Sequence, residues 1–171
     1  YSELTPSLIM RLISNGAGSD PCNVFDATGV WSRRDNFVTT GASNVTYTGQ
    51  TLTNITGLAI LLGANYTYEF EAILSVQTSA VTTGIQYAIA YSAGYSQFSA
   101  QIIGNVNTSY SRGNVLAINT ASTTFMTTSN QSGQILIKGY IKTSGIGGTL
   151  SIKHLKVTSG TSTVLPYSYF K

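Results

Sequence analysis

Charge is what this chain has least of. Nine Lys and Arg stand against six Asp and Glu, so 9% of the 171 residues are charged, against about 25% in an average soluble domain. The nine basic residues are scattered and only Arg33 and Arg34 are adjacent, which excludes the basic stripe with interleaved aromatics that nucleic-acid binding requires. One cysteine, Cys22, leaves no internal disulfide, and one histidine, His154, leaves no metal-ligand set. Cys22 has no His or basic neighbour to activate it and reads as a small buried hydrophobe. The longest apolar run, Leu58 to Leu62, falls far short of the roughly 20 residues of a membrane-spanning helix. Nothing at the start has the form of a secretory leader, and a chain beginning at Tyr1 is expected to have lost preceding residues.

Catalytic patterns are equally thin. A Ser-His-Asp triad would have to join His154 to Asp20, Asp26 or Asp35, and no Gly-x-Ser-x-Gly elbow occurs. Glu69 and Glu71 lie two apart on one strand face, whereas a glycosidase pair faces across a cleft, so they read as a solvated or subunit-facing strip and a weak cation signal. Gly145-Ile146-Gly147-Gly148 lacks the lysine and helix of a phosphate loop and reads as a turn. Five Asn-x-Ser/Thr sequons begin at Asn44, Asn54, Asn65, Asn107 and Asn130, but the composition alone predicts about three, so no glycoprotein is inferred. The chain is expected to be no enzyme and to carry no cofactor.

What is plentiful is hydroxyl. Ser and Thr make up 45 of 171 residues and Tyr another 11, so solubility rests on hydroxyls and amides, and apolar surface is left free for subunit contact. At this length one domain is expected, burying roughly 70% of the surface that its unfolded chain exposes.

The clearest period-two pattern runs from Tyr66 through Tyr68, Phe70, Ala72 and Leu74 to Val76, broken only by Ile73. After Gln77 to Thr83 a second run places Ile85, Tyr87, Ile89 and Tyr91 on one face. The two are expected to form a hairpin. Short strands are expected at 37–40, 44–48, 52–55 and 58–62, punctuated by Gly41, Gly49, Gly57 and Gly63. Others are expected at 97–103, 114–119, 123–127, 134–142, 149–157 and 164–170. In 134–142 the face with Ile135, Ile137, Gly139 and Ile141 is the buried one. In 149–157 Leu150 and Ile152 are out of phase with Leu155 and Val157, which predicts a bulge near Lys153 and His154. The sum is an all-β, antiparallel two-sheet sandwich of jelly-roll type over residues 23–171.

Ahead of it, residues 1–22 form an arm. Thr5 and Pro6 open a short helix with Leu8, Ile9, Leu12 and Ile13 on one side, stopped by Asn15 and Gly16. The arm either packs on its own domain or docks on a neighbouring subunit. Candidate oligomer-contact residues are Tyr87, Tyr91, Tyr95, Trp31, Leu8, Ile9 and Leu12, since Tyr and Trp give broad contact area at low entropic cost. The alternative for the three tyrosines is that they fill the core, and Trp31 reads equally as core filler.

The segment Leu62-Gly63-Ala64-Asn65, followed by Tyr68-Glu69-Phe70-Glu71 and by Thr82-Thr83-Gly84, resembles a recurrent module of tailed-bacteriophage virion proteins. Gly139-Tyr140-Ile141-Lys142, Gly148-Thr149-Leu150 and Ser162-Thr163-Val164 are similar to the closing strands of the same modules. Leu165-Pro166-Tyr167 stands where those modules carry a glycine turn, and residues 1–57 have no counterpart. The resemblance implies a β-sandwich, often trimeric, located in the virion on a head, tail or fibre, with other virion proteins as partners and no enzymatic residues. Two alternatives share the architecture. One is a lectin-like receptor-binding domain for host-surface glycans, and the other is a jelly-roll coat subunit of a small virus, which would want a basic arm that Arg11 alone does not supply.

Overall fold

The computed structural model describes residues 37–80, 82–106, 109–125 and 132–171, which belong to one unit, Phe37–Lys171. The arm at 1–22, with its expected helix, lies outside the described residues, as do Cys22 and Trp31. Among the described residues there is no helix. Eleven strands form two antiparallel sheets: β1 (Val38–Thr39), β2 (Val45–Tyr47), β3 (Thr53–Leu62), β4 (Thr67–Thr78), β5 (Ile85–Tyr91), β6 (Tyr95–Val106), β7 (Ser109–Val115), β8 (Ser132–Thr143), β9 (Gly148–Lys156), β10 (Ser162–Val164) and β11 (Tyr169–Phe170). The larger sheet runs β1-β11-β4-β8-β6-β7, with β10 between β2 and β4, and the smaller runs β3-β9-β5. The expected two-sheet sandwich is therefore present in an uneven form, eight segments facing three.

Alternation decides the inward faces as expected. Ala72, Leu74 and Val76 on β4 and Ile135, Ile137 and Ile141 on β8 are fully buried. They share one apolar cluster with Ile85, Tyr87 and Ile89 of β5, Leu150 and Ile152 of β9 and Ile55, Leu58 and Ile60 of β3. Each Val, Leu or Ile side chain among them is worth about 1.5–3 kcal/mol in area removed from water. Within β8, Gly139 lies between Phe70 and Ala100 in register, and the Phe70 ring crosses the space where a Cβ would sit, 2.6 Å from its Cζ.

The expected hairpin of β4 with β5 does not form. One edge of β4 pairs with β8 from Thr67 to Gln77 and the other with β10 and β11, while β5 pairs with β9 in the opposite sheet. Period two reveals that a strand has one buried face, and it is silent on which strand lies beside it. Residues 52–55 and 58–62 join into the single strand β3, whose inward phase slips between Ile55 and Leu58. The irregularity predicted near Lys153 and His154 is on this partner strand, between Asn54 and Ala59. Gly57 there has φ 87°, and a Cβ would come 2.6 Å from the Thr39 carbonyl oxygen. β9 itself keeps phase, because the residues facing inward after Ile152 are His154 and Lys156, not Leu155 and Val157.

Two further expectations shift. The strand placed at 114–119 lies earlier, at β7, and residues after it run along the exposed edge of β5, where the Asn119 and Ser122 amides donate to the Ile89 and Tyr87 carbonyls, both at 2.8 Å. Of the strand expected at 123–127, residues 123–125 are described, and there Phe125 makes an isolated bridge to Ile85. The last strand, expected at 164–170, is broken into β10 and β11 at Leu165–Ser168, with Tyr167 at φ 58°. Ser168 fills the gap: its hydroxyl accepts from the Ser75 amide at 3.0 Å and donates to the Leu165 carbonyl at 2.9 Å.

Candidate interaction surface

The chain crosses between the sheets three times at one end of the sandwich, through the turns 63–66, 92–94 and 144–147. Each turn is short, and Thr143, the last residue of β8, ties them together. Its buried hydroxyl donates to the Gly63 carbonyl at 2.8 Å and accepts from the Tyr66 amide at 3.0 Å, and its own amide donates to the Tyr66 carbonyl at 2.9 Å. Ser144 N donates to the Gly94 carbonyl at 3.1 Å, Asn65 N to the Ser144 carbonyl at 2.9 Å and Thr149 N to Ser92 Oγ at 2.8 Å. Asn65 adopts φ 62°, a conformation its short polar side chain tolerates.

Four tyrosines gather on this frame. Thr143 pairs with Tyr95 on β6 and bonds to Tyr66 ahead of β4, so the two residues stand on either side of it, 39% and 62% exposed. Below them Tyr68 Oη accepts from the Gly63 amide at 2.8 Å, and the Tyr91 hydroxyl reaches the Ile146 carbonyl at 3.5 Å. Burial, and then the proximity of Tyr68, raises the pKa of Tyr91. Leu61 and Ile146 stand out to solvent, each 74% exposed. No residue in 61–68, 91–101 or 143–152 carries a charge.

The three tyrosines proposed as a contact strip are thus separated. Tyr87 and Tyr91 face inward on β5, 0% and 7% exposed, and take the core-filling alternative, because the face that carries them is the one turned toward β4 and β8. Tyr95 opens β6 in the other sheet and is the only one of the three at the surface. Trp31, Leu8, Ile9 and Leu12 lie outside the described residues. Tyr66 was readable only as a strand residue; the signal for its exposure is its place beside the Ala64-Asn65 turn, at the end of the alternating run.

Among the described residues, Glu71 and His154 lie elsewhere and are engaged. Glu71, on the outer face of β4, is held between Lys138 Nζ at 2.8 Å and Lys171 Nζ at 3.2 Å, and Tyr169 Oη donates to it at 3.1 Å. The Lys138 contact, helped by Lys171 and Tyr169, brings its carboxyl down to about 2 against the opposing effect of partial burial. Its neighbour Glu69 is exposed one register step away, opposite Tyr140. His154 lies in the core, its Nε2 2.5 Å from Ser162 Oγ and its ring 4.6 Å from that of Tyr47 and 5.2 Å from that of Tyr87. Burial pushes its pKa down to about 4. Among the described residues no three His, Cys, Asp or Glu side chains come together as metal ligands.

No protein-family model matches the chain, and no curated protein matches it. Among solved structures it is similar to a chain in the structure of the Gx strain of infectious bursal disease virus, with 14% identity and a TM-score of 0.21. The match covers 95% of this chain and 45% of that one, so this chain spans less than half its length. A likeness at that TM-score carries no argument about function.

Proposed function

We propose that this protein is a non-enzymatic structural module of a bacteriophage virion, of the head-decoration or fibre type, that assembles as an oligomer and works through the surfaces it displays. The observation that carries this reading is the contrast between hidden chemistry and displayed tyrosine. The one imidazole is sealed in the core and Glu71 is locked by two lysines, while a braced, charge-free end displays Tyr66 and Tyr95. Recognition surfaces, whatever their partner, favour this composition, rich in Tyr and poor in charge. The segments that carry the resemblance to phage modules also lie side by side: β4 beside β8, β3 beside β9 and β10 against β4.

The assembly is a homotrimer, with the N-terminal segment contacting other virion proteins. Light scattering on the intact chain at micromolar concentration should give three times 18.1 kDa. A stable monomer would remove the trimer, and absence of the protein from purified particles by mass spectrometry would remove the virion role.

A further inference from the structure

We infer that the four-tyrosine end of the sandwich is a binding site for neutral saccharides. This stands on the surface itself and does not rest on the virion reading. Tyr66, just ahead of β4, and Tyr95, on β6, stand on either side of Thr143 at the end of β8. With strands about 4.8 Å apart, their backbones stand about 10 Å from each other, a spacing suited to the first and third rings of a trisaccharide. A pyranose shows C–H groups on its faces and hydroxyls around its rim. Half-exposed tyrosine rings supply an apolar plane with a phenolic hydroxyl at its edge, and Asn65, Ser92 and Ser144 supply amide and hydroxyl partners around them.

Charge selects among ligands. Acidic glycans, phosphates and nucleic acids are recognised through Arg or Lys, and none occurs in the three segments that build this end. Lys142, next to Thr143 in sequence, alternates to the opposite, outer face with Thr67 and Gln97, its register partners. The bracing of the turns through Thr143 and Ser92 removes much of the ordering cost that a loop-built site otherwise carries. Leu61 and Ile146 add apolar edges at the periphery.

The test is saturation-transfer NMR on the intact chain with chitotriose, maltotriose and cellotriose as neutral probes and sialyllactose and a heparin disaccharide as acidic ones. At least one neutral probe should bind and the acidic ones should not. Tyr66→Ala and Tyr95→Ala should each weaken that binding about tenfold, as the loss of one stacked ring does elsewhere. Tyr66→Phe should retain most of it, and Lys138→Ala, on the outer face, should leave it unchanged. Silence from all three neutral probes, a preference for the acidic ones, or binding that survives both alanine substitutions would overturn the inference. So would a change of assembly mass in either alanine variant, which would make this end a chain-to-chain contact. A changed assembly mass would assign this end to subunit contact and leave the virion reading standing, whereas silent probes with unchanged mass remove the saccharide site alone; the wild-type mass and presence in particles test the virion reading by themselves.

Discussion

Acidification from pH 6.5 to pH 4 should destabilise this fold by about 3 kcal/mol through one ring, His154. The imidazole is 0% exposed on the inner face of β9, packed between Tyr47 and Tyr87. Its Nε2 meets Ser162 Oγ, while its Nδ1 has no hydrogen-bond partner among the described residues. The neutral tautomer with its proton on Nε2 leaves only a lone pair unmet. Protonation would add a second buried N–H with nothing to receive it, beside Lys156 on the same strand face. Burial accordingly lowers the folded-state pKa from 6.5 to about 4. The sign follows from proton counting. Between these values the unfolded chain binds a proton that the folded chain refuses, so stability is full above pH 6.5 and falls as pH drops toward 4. At 1.36 kcal/mol per pKa unit the loss is about 3 kcal/mol, a large part of the 5–15 kcal/mol typical of a whole domain.

Urea unfolding at pH 7.5, 6.5, 5.5 and 4.5 measures this directly. The midpoint should fall with pH while the m-value holds. His154→Phe keeps a ring between the two tyrosines and removes the titration. It loses about 1–3 kcal/mol at neutral pH, because Ser162 is left without its partner, but its stability should be flat from pH 6.5 to 4.5. Glu71 does not confuse the measurement. Its carboxyl is lowered from 4.5 to about 2, so its contribution is present above pH 4.5 and is lost only below it. Parallel slopes for wild type and His154→Phe between pH 6.5 and 4.5 would refute the reasoning.

Three other substitutions probe the packing. Tyr87→Phe should be neutral or stabilising by up to about 1 kcal/mol in the same urea assay, because the Tyr87 hydroxyl is buried and unpartnered. Gly139→Ala should cost about 3 kcal/mol, since the added methyl meets the Ser99 carbonyl oxygen at 2.4 Å and Phe70 at 2.6 Å in the middle of β8. Thr143→Val keeps the shape and removes the hydroxyl, leaving the Tyr66 amide and Gly63 carbonyl unmet at a cost of about 1–3 kcal/mol. Hydrogen exchange should localise the change by accelerating the Tyr66 amide while the amides of β4 around Leu74 stay protected.

The architecture was legible where burial follows one period. The run from Tyr68 to Val76 and the opposed faces of 134–142 announce two half-buried strands, and the structure places them side by side as β4 and β8. The sheet to which each strand belongs was not legible, since the alternation of β5 would be the same whether it paired with β4 or, as it does, with β9. The reading of β9 failed for a different reason. Its inward positions after Ile152 are His154 and Lys156, polar residues that an apolar pattern passes over in favour of Leu155 and Val157. The Lys156 ammonium reaches the Thr158 carbonyl at 2.6 Å and so leaves its stem in the core. The loop end was hidden for a third reason: its four tyrosines come from β4, β5, β6 and a turn, and only the crossings between sheets bring them together.

The abundance of hydroxyls takes on a second meaning once the irregularities are mapped. Read as composition, Ser and Thr supply solubility to a chain short of charge. In the fold, several of them stand where the backbone ladder fails. Ser168 bridges the break between β10 and β11, Ser122 receives the Tyr87 amide at 3.1 Å on the edge of β5, Ser92 receives Thr149, and Ser79 receives the Thr161 amide at 2.8 Å. A sandwich whose chain changes sheets this often must interrupt its strands, and each interruption strands amides and carbonyls that are costly to bury unpaired. A short side chain with one donor and two lone pairs can take the missing partner's place without adding charge or bulk. The same device, applied by Thr143 where three crossings meet, lets the protein hold exposed tyrosines on turns that would otherwise move.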